Sequence, residues 1–238
     1  KDATVTNRVF HLLEEIAGEL NLPLPISAYK YCEEGMRGVQ TIAYEILECP
    51  DGEIDHIFSP AGGGGLTLSI AKGCFEFKTK YLSAVLPKVH CVQPEGNNTI
   101  AGALRNHKDN AEAISASTTS ISGLQVPGIL DGNEVIKMCR QLGGNGYVVK
   151  DEEVFKWHRA LATMEGIFCE PAGAVALAGF ADAVKRKEIN TKDKAVCLVT
   201  GSGFKDMLSV ERHFELPSIK TVACNDLNNI IETVRLKQ

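Results

Sequence analysis

"SPAGGGGLTLSIAKG", residues 59–73, sets four consecutive glycines, Gly62 to Gly65, between two apolar stretches. Glycine loses more backbone freedom on folding than any other residue, roughly 0.5–1 kcal/mol relative to alanine in regular structure. Four in a row need a reason. One reading is a flexible turn or a close-packed crossing. The other is a loop whose backbone must come close to a ligand. "IDHIFSPA" before the glycines reads as a short strand, and "LTLSIAKGCFEF" after them reads as a helix. A strand, a glycine loop and a helix together make an anion cradle, because backbone N–H groups and the helix dipole both favour negative charge there. The run does not fit G-x-x-x-x-G-K-[ST]. It does not fit G-x-G-x-x-G either, because the sixth position counted from Gly63 is Leu68. The functional reading left is a small, phosphate-bearing cofactor.

Outward from the loop, helix and strand patterns alternate. Residues 5–20 space Val9, Leu12, Leu13, Ile16 and Leu20 at helical intervals, and "NLPLPIS" ends that run. "GVQTIAYEILE" fits a second helix, followed by a turn at "CPDGE", and "KVHCVQPEG" fits a strand and turn. "LDGNEVIKMCRQLGG" is a helix closing on Gly143 and Gly144. "YVVKDEEVFKWHRALATMEG" gives a strand, then a helix opening at Asp151 whose Glu152 and Glu153 suit its positive end. "PAGAVALAGFADAVKRKE" opens a helix on Pro171, with small residues that permit close packing. "KAVCLVT" reads as a strand buried on both faces, with "GSGF" directly after it. In the tail, Leu227, Ile230, Ile231 and Val234 make a helical stripe, read as core or subunit contact. The alternation predicts an α/β fold, a mostly parallel twisted sheet with helices on both faces. Such sheets bind ligands beyond the carboxyl ends of their strands. Two glycine turns fall there: Gly62–Gly65, and Gly201 with Gly203.

Composition narrows the function classes. A chain of 238 residues, 44% hydrophobic, holds ample material for a core. A net charge of −5 without a dense basic run argues against a nucleic-acid partner. No stretch approaches the roughly 20 apolar residues of a membrane helix. The opening "KDATVTNRVF" lacks the apolar centre of a signal peptide. Eight cysteines include no C-x-x-C pair, so no zinc site is expected. They read as buried, reduced thiols of a cytoplasmic protein.

Three stretches in order, "GVQTIAYEI" with "IFSPAGGGGL", "MEGIFCEPAGAVALAGF" and "CLVTGSGFKD", resemble the C-terminal half of a fold type II (tryptophan synthase β-like) pyridoxal-phosphate enzyme. The likeness is nearest to threonine synthases, and "EPAGAVALAGF" is equally similar to threonine and serine dehydratases. The resemblance implies pyridoxal 5'-phosphate as cofactor and an amino acid as small-molecule substrate. It implies a lyase working by β/γ elimination or replacement. By position, Gly62, Gly63, Gly64, Gly65 and Leu66 would donate N–H groups to the cofactor phosphate. Thr200 would face the pyridine nitrogen, where a hydroxyl suits side-chain elimination and replacement; the plain alternative is a β-branched strand residue. Glu170 is either a helix-start acid or a group ordering the site. Lys205 and Asp206 match the family turn and are expected to be structural, as are His56 and His90. The implied organisation has residues 1–34 as the end of a small domain or connection, 35–216 as the large phosphate-binding domain, and 217–238 as a helical tail. Assembly into a homo-oligomer is also expected.

One element of the family pattern is absent. These enzymes hold the cofactor through a lysine in an S-x-K-like motif in their N-terminal half. "SAYK" at Lys30 has the wrong spacing, and "PSIK" at Lys220 has the right spacing but comes too late. Lys72 reads as a solvated helix lysine. The catalytic residue is therefore unassigned. The expectation is a fragment of a larger enzyme, with two alternatives: a record of only part of the chain, or a non-catalytic relative that binds a ligand or partner.

Overall fold

Phe58 and Ile57 are neighbours in sequence and both fully buried, yet they feed opposite cores. They lie on β1 (His56–Pro60) of a parallel sheet whose other strands are β2 (Lys88–Pro94), β3 (Gly146–Val149) and β4 (Ala195–Cys197). The order is β3-β2-β1-β4, with Phe58 in register with His90 on one side and Cys197 on the other. This computed structural model describes residues 7–49, 52–214 and three tail positions, 231, 232 and 235. Leu227, Ile230 and Val234 of the tail stripe lie outside the described residues, as do Pro50 and Asp51 of the "CPDGE" turn. The pleat sends Ile57, Val89 and Cys91 toward α3 (Thr41–Leu47), α4 (Gly65–Lys80), α5 (Ala101–Arg105) and α6 (Gly132–Gln141). It sends Phe58, Val92 and Tyr147 toward α7 (Asp151–Met164) and α8 (Val175–Lys185). Burying each large side chain contributes roughly 1.5–3 kcal/mol, so both helical layers are tied to the same strands. The predicted α/β architecture with helices on both faces is what forms.

Local chemistry sets the element ends. Gly143 takes a φ of 68° after α6, and the N–H groups of Gly143 and Gly144 return to the carbonyls of Arg140 and Cys139. That pair of bonds is a Schellman closure. Pro171 opens a 3-10 turn, Pro171–Ala174, that runs into α8. A Cβ on Gly179 would come within 2.5 Å of Val92, so the small residues of α8 do serve close packing against the sheet.

Three expectations change. The chain is already helical in α2 (Glu33–Val39), whose first turn carries Glu33 and Glu34, so the helical region begins before "GVQTIAYEILE". The strand in "KAVCLVT" is only Ala195–Cys197 and half-buried, because among the described residues β4 is the edge and pairs with β1 alone. Lys72 is half-buried, with its ammonium 4.1 Å from the centre of the Tyr29 ring. In α1 (Asn7–Glu19) the apolar stripe forms as spaced, but Leu12 and Ile16 remain exposed.

The amino end of the sheet is closed by a polar chain. The Asn145 N–H donates to His90 Nδ1 (2.9 Å), which leaves the proton on His90 Nε2. Nε2 then donates to His56 Nδ1 (2.9 Å), and His56 Nε2 donates to Asp193 (3.2 Å). Burial, reinforced by nearby His56 and Lys88, pushes the His90 pKa from 6.5 down to about 3. Beside it, Glu188 accepts from Tyr147 (2.8 Å) and pairs with Arg105.

Candidate functional site

At the other end of β1 the backbone bonding is lopsided. Every carbonyl from Gly62 to Gly64 is used. Gly62 O accepts from Gln93 Nε2 (3.1 Å), Gly63 O from the Asp131 N–H (3.1 Å), and Gly64 O from the Leu68 N–H (2.9 Å). None of the N–H groups of Gly62, Gly63, Gly64, Gly65 and Leu66 finds an acceptor among the described residues. A helix always starts with unspent donors, and here no side chain caps them. Extending that run back through the loop gives a row of donors with no acceptor, at the positive end of a 16-residue helix.

The glycines are required where they stand. Gly64 has a φ of 98°, and a Cβ there would meet Val135 at 2.8 Å. A Cβ on Gly65 would lie 2.5 Å from the Ser27 carbonyl oxygen. Close packing is thus one cause of the run, and the joint is not a loose one. Asp131 locks the arrangement from the side, accepting the N–H groups of Tyr29 (2.9 Å) and Lys30 (3.2 Å) while its own N–H holds Gly63. Burial raises the Asp131 pKa. Lys30 therefore attaches to the loop's frame through its backbone, while its side chain is turned to Tyr31 and Glu14.

The second glycine turn uses its donors differently. Residues 168–170 pair with 201–203: Glu170 N–H bonds to Gly201 O (3.2 Å) and Gly203 N–H to Phe168 O (3.0 Å). Gly201 has a φ of 50°, and a Cβ there would overlap the Glu170 carboxylate. The Glu170 side chain makes no helix-capping bond. It accepts instead from the Thr200 hydroxyl (3.2 Å) and from Lys205 (2.8 Å), while standing at the N-cap position of the Pro171–Ala174 turn. Asp206 caps α9 (Met207–His213) by accepting from the Ser209 N–H, a structural role as expected. Thr200 is half-buried, just past β4 and beside the carboxyl end of β1. Its one hydroxyl proton serves one acceptor at a time, so Thr200 offers other groups a lone pair while Glu170 holds that proton.

A cavity of about 290 Å³ opens nearby, at the ends of β2 and β3. Its walls carry Glu95, Asp151 and Glu152 against the one cation Lys150, a net negative lining that does not favour a phosphate. Sequence reading passed over Gln93, Asp131 and the Glu170–Lys205 pair. Gln93 left a visible signal, a polar residue inside the apolar run "VHCVQP". Among the described residues no His/Cys/Asp/Glu cluster could hold a metal, and no helix is long and apolar enough to cross a membrane. The buried thiols of Cys74 and Cys139 are pushed up to about 12 by desolvation.

A parallel α/β sheet with an unspent row of glycine N–H groups at a strand's carboxyl end is an arrangement able to receive an anionic group. Residues 3–201 match the family model described as "Pyridoxal-phosphate dependent enzyme", and the chain belongs to that family. It is 31% identical over 188 residues to a threonine synthase of Methanosarcina acetivorans, covering 77% of this chain and 46% of the relative. It is 28% identical over 198 residues to that of Methanocaldococcus jannaschii, covering 83% and 49%. The chain thus spans about half the length of these relatives. In fold it is similar to a processed threonine deaminase isoform 2 of Solanum lycopersicum (TM-score 0.62, 23% identity, 83% of this chain and 51% of that one). It is likewise similar to maize serine racemase (TM-score 0.62, 22% identity, 84% and 60%). The cofactor of the family is pyridoxal phosphate, and the loop's free donors fit its phosphate.

Proposed function

We propose that this chain is the phosphate-holding part of a threonine synthase-like lyase, which converts O-phosphohomoserine to threonine and phosphate. The observation that carries the reading is the loop in which every carbonyl from Gly62 to Gly64 is bonded and no N–H meets an acceptor among the described residues. Gly62, Gly63, Gly64, Gly65 and Leu66 hold the cofactor phosphate, and Thr200 stands at the ring nitrogen, to which its hydroxyl proton turns from Glu170 when the cofactor is bound. When bound, pyridoxal phosphate supplies an electron sink for the carbanions that elimination and replacement require. The 25–31% identity to threonine synthases supports this substrate class over others. Residues 35–216 form the phosphate-binding unit, 1–34 lead into it, and self-association completes the assembly.

The test is an assay of the protein purified from its native source, with its intact mass recorded. Phosphate release from O-phosphohomoserine is the expected result. Ammonia release from threonine or serine would transfer the chain to the dehydratase reading. Cofactor binding without turnover of any of these would make it a binding or regulatory relative.

A further inference from the structure

Gln93 is fully buried within β2, where its neighbours in sequence are apolar or turn residues. Its carboxamide nevertheless has all of its strong bonds. Oε1 accepts the N–H groups of Thr99 (3.1 Å), Ile100 (2.7 Å) and Ala101 (2.9 Å), which closes the start of α5. Nε2 donates to Thr99 Oγ1 (3.1 Å) and to Gly62 O (3.1 Å). Three N–H donors on one side and a carbonyl on the other fix which end of the amide is which. The Gly62 carbonyl belongs to the same residue whose N–H begins the free row. Holding that carbonyl fixes the plane of the Gly62–Gly63 peptide, and so the direction of the Gly63 N–H. We infer that Gln93 is the positioning residue of the phosphate loop, orienting its donors from beneath without touching the ligand. The inference rests on the reading of this loop as a phosphate cradle.

The variant that isolates this role is Gln93→Glu. A carboxylate of the same shape still accepts the three N–H groups of α5. It can no longer donate to Gly62 O, and it sets like partial charges against each other. Calorimetric titration of the 238-residue chain with pyridoxal 5'-phosphate and, separately, with pyridoxal reads the phosphate contribution as a ratio of affinities. The wild type is expected to favour the phosphorylated form at least tenfold, and Gln93→Glu to lose most of that preference. Thr99→Val, which removes a neighbouring bond and leaves the Gly62 bond intact, is expected to keep the ratio within about twofold. A folded Gln93→Glu chain with the wild-type ratio overturns the inference, and so does a Thr99→Val chain that loses the ratio equally. Should Gln93→Glu fail to fold, the Gln93 side-chain amide resonances of the wild type decide the matter. They must shift on saturation with pyridoxal 5'-phosphate while those of Gln141 stay still, and unmoved Gln93 resonances overturn the inference. A wild type that binds both compounds equally removes the cradle reading itself.

Discussion

The two ends of the sheet treat hydrogen bonding in opposite ways. At the amino end, the Asn145–His90–His56–Asp193 chain gives each imidazole proton one acceptor and each bare nitrogen one donor. At the carboxyl end, Gly62–Gly64 spend their carbonyls, and the N–H groups of Gly62–Leu66 meet no acceptor among the described residues. The same four strands thus carry a closed network that stabilises and an open one that can receive. Unsatisfied donors in a half-buried loop are costly unless something arrives to meet them, and that is where a ligand gains most.

The sharpest break in the comparison would come from acid. Unfolded histidine takes up a proton below pH 6.5, while folded His90 stays neutral down to about 3. The unfolded chain therefore binds more protons across that window, and stability is lost as pH falls through it. The His90 contribution to the slope approaches about 1.4 kcal/mol per pH unit. Urea midpoints measured from pH 7.5 to 4 check it, with His90→Gln as the reference. Equal slopes in the two proteins would show that the closed network contributes nothing to acid sensitivity.

Next in size is Gly65→Ala. Its Cβ would meet the Ser27 carbonyl at 2.5 Å and Met36 at 3.0 Å, so backbone must move. The expected loss is about 1–3 kcal/mol of stability, read as a lower melting temperature, together with weaker binding of pyridoxal 5'-phosphate. Gly63→Ala meets only the side chain of Leu130 and should cost less. The reverse order would mean that the loop is not held as described.

Smaller effects test the second turn. Thr200→Val removes one hydroxyl from Glu170 and from the proposed ring contact, worth roughly 0.5–1.5 kcal/mol. Cofactor affinity should fall by about two- to tenfold with the melting temperature little changed. Lys205→Met breaks an ion pair whose lysine side chain is 65% exposed. Exposed pairs contribute little, so stability should stay within about 0.5 kcal/mol. A larger loss would place Lys205 in the site rather than at its margin.

Much of the fold is legible in the sequence. The apolar pattern located β1, α4, α6 and α7: α6 and α7 bury one face, whereas β1 is a short apolar run buried throughout and α4 is buried on nearly every side. The glycine run pointed to an anion because strand, loop and helix are contiguous in the chain. Edge position was not legible, since "KAVCLVT" reads the same at the centre of a sheet as at its border. Nor were the partners of Gln93, Asp131 and Glu170. The Gln93–Gly62, Asp131–Tyr29 and Glu170–Thr200 bonds join residues 30 to 102 positions apart, and nothing local in a sequence records them.

The central claim is that the free N–H groups of residues 62–66 receive the cofactor phosphate. Amide chemical shifts of the 15N-labelled chain, followed during titration with pyridoxal 5'-phosphate, test it most directly. The account predicts downfield movement concentrated at Gly62, Gly63, Gly64, Gly65 and Leu66, with residues around His56 and His90 unmoved. Saturation that leaves those five amides in place would contradict it.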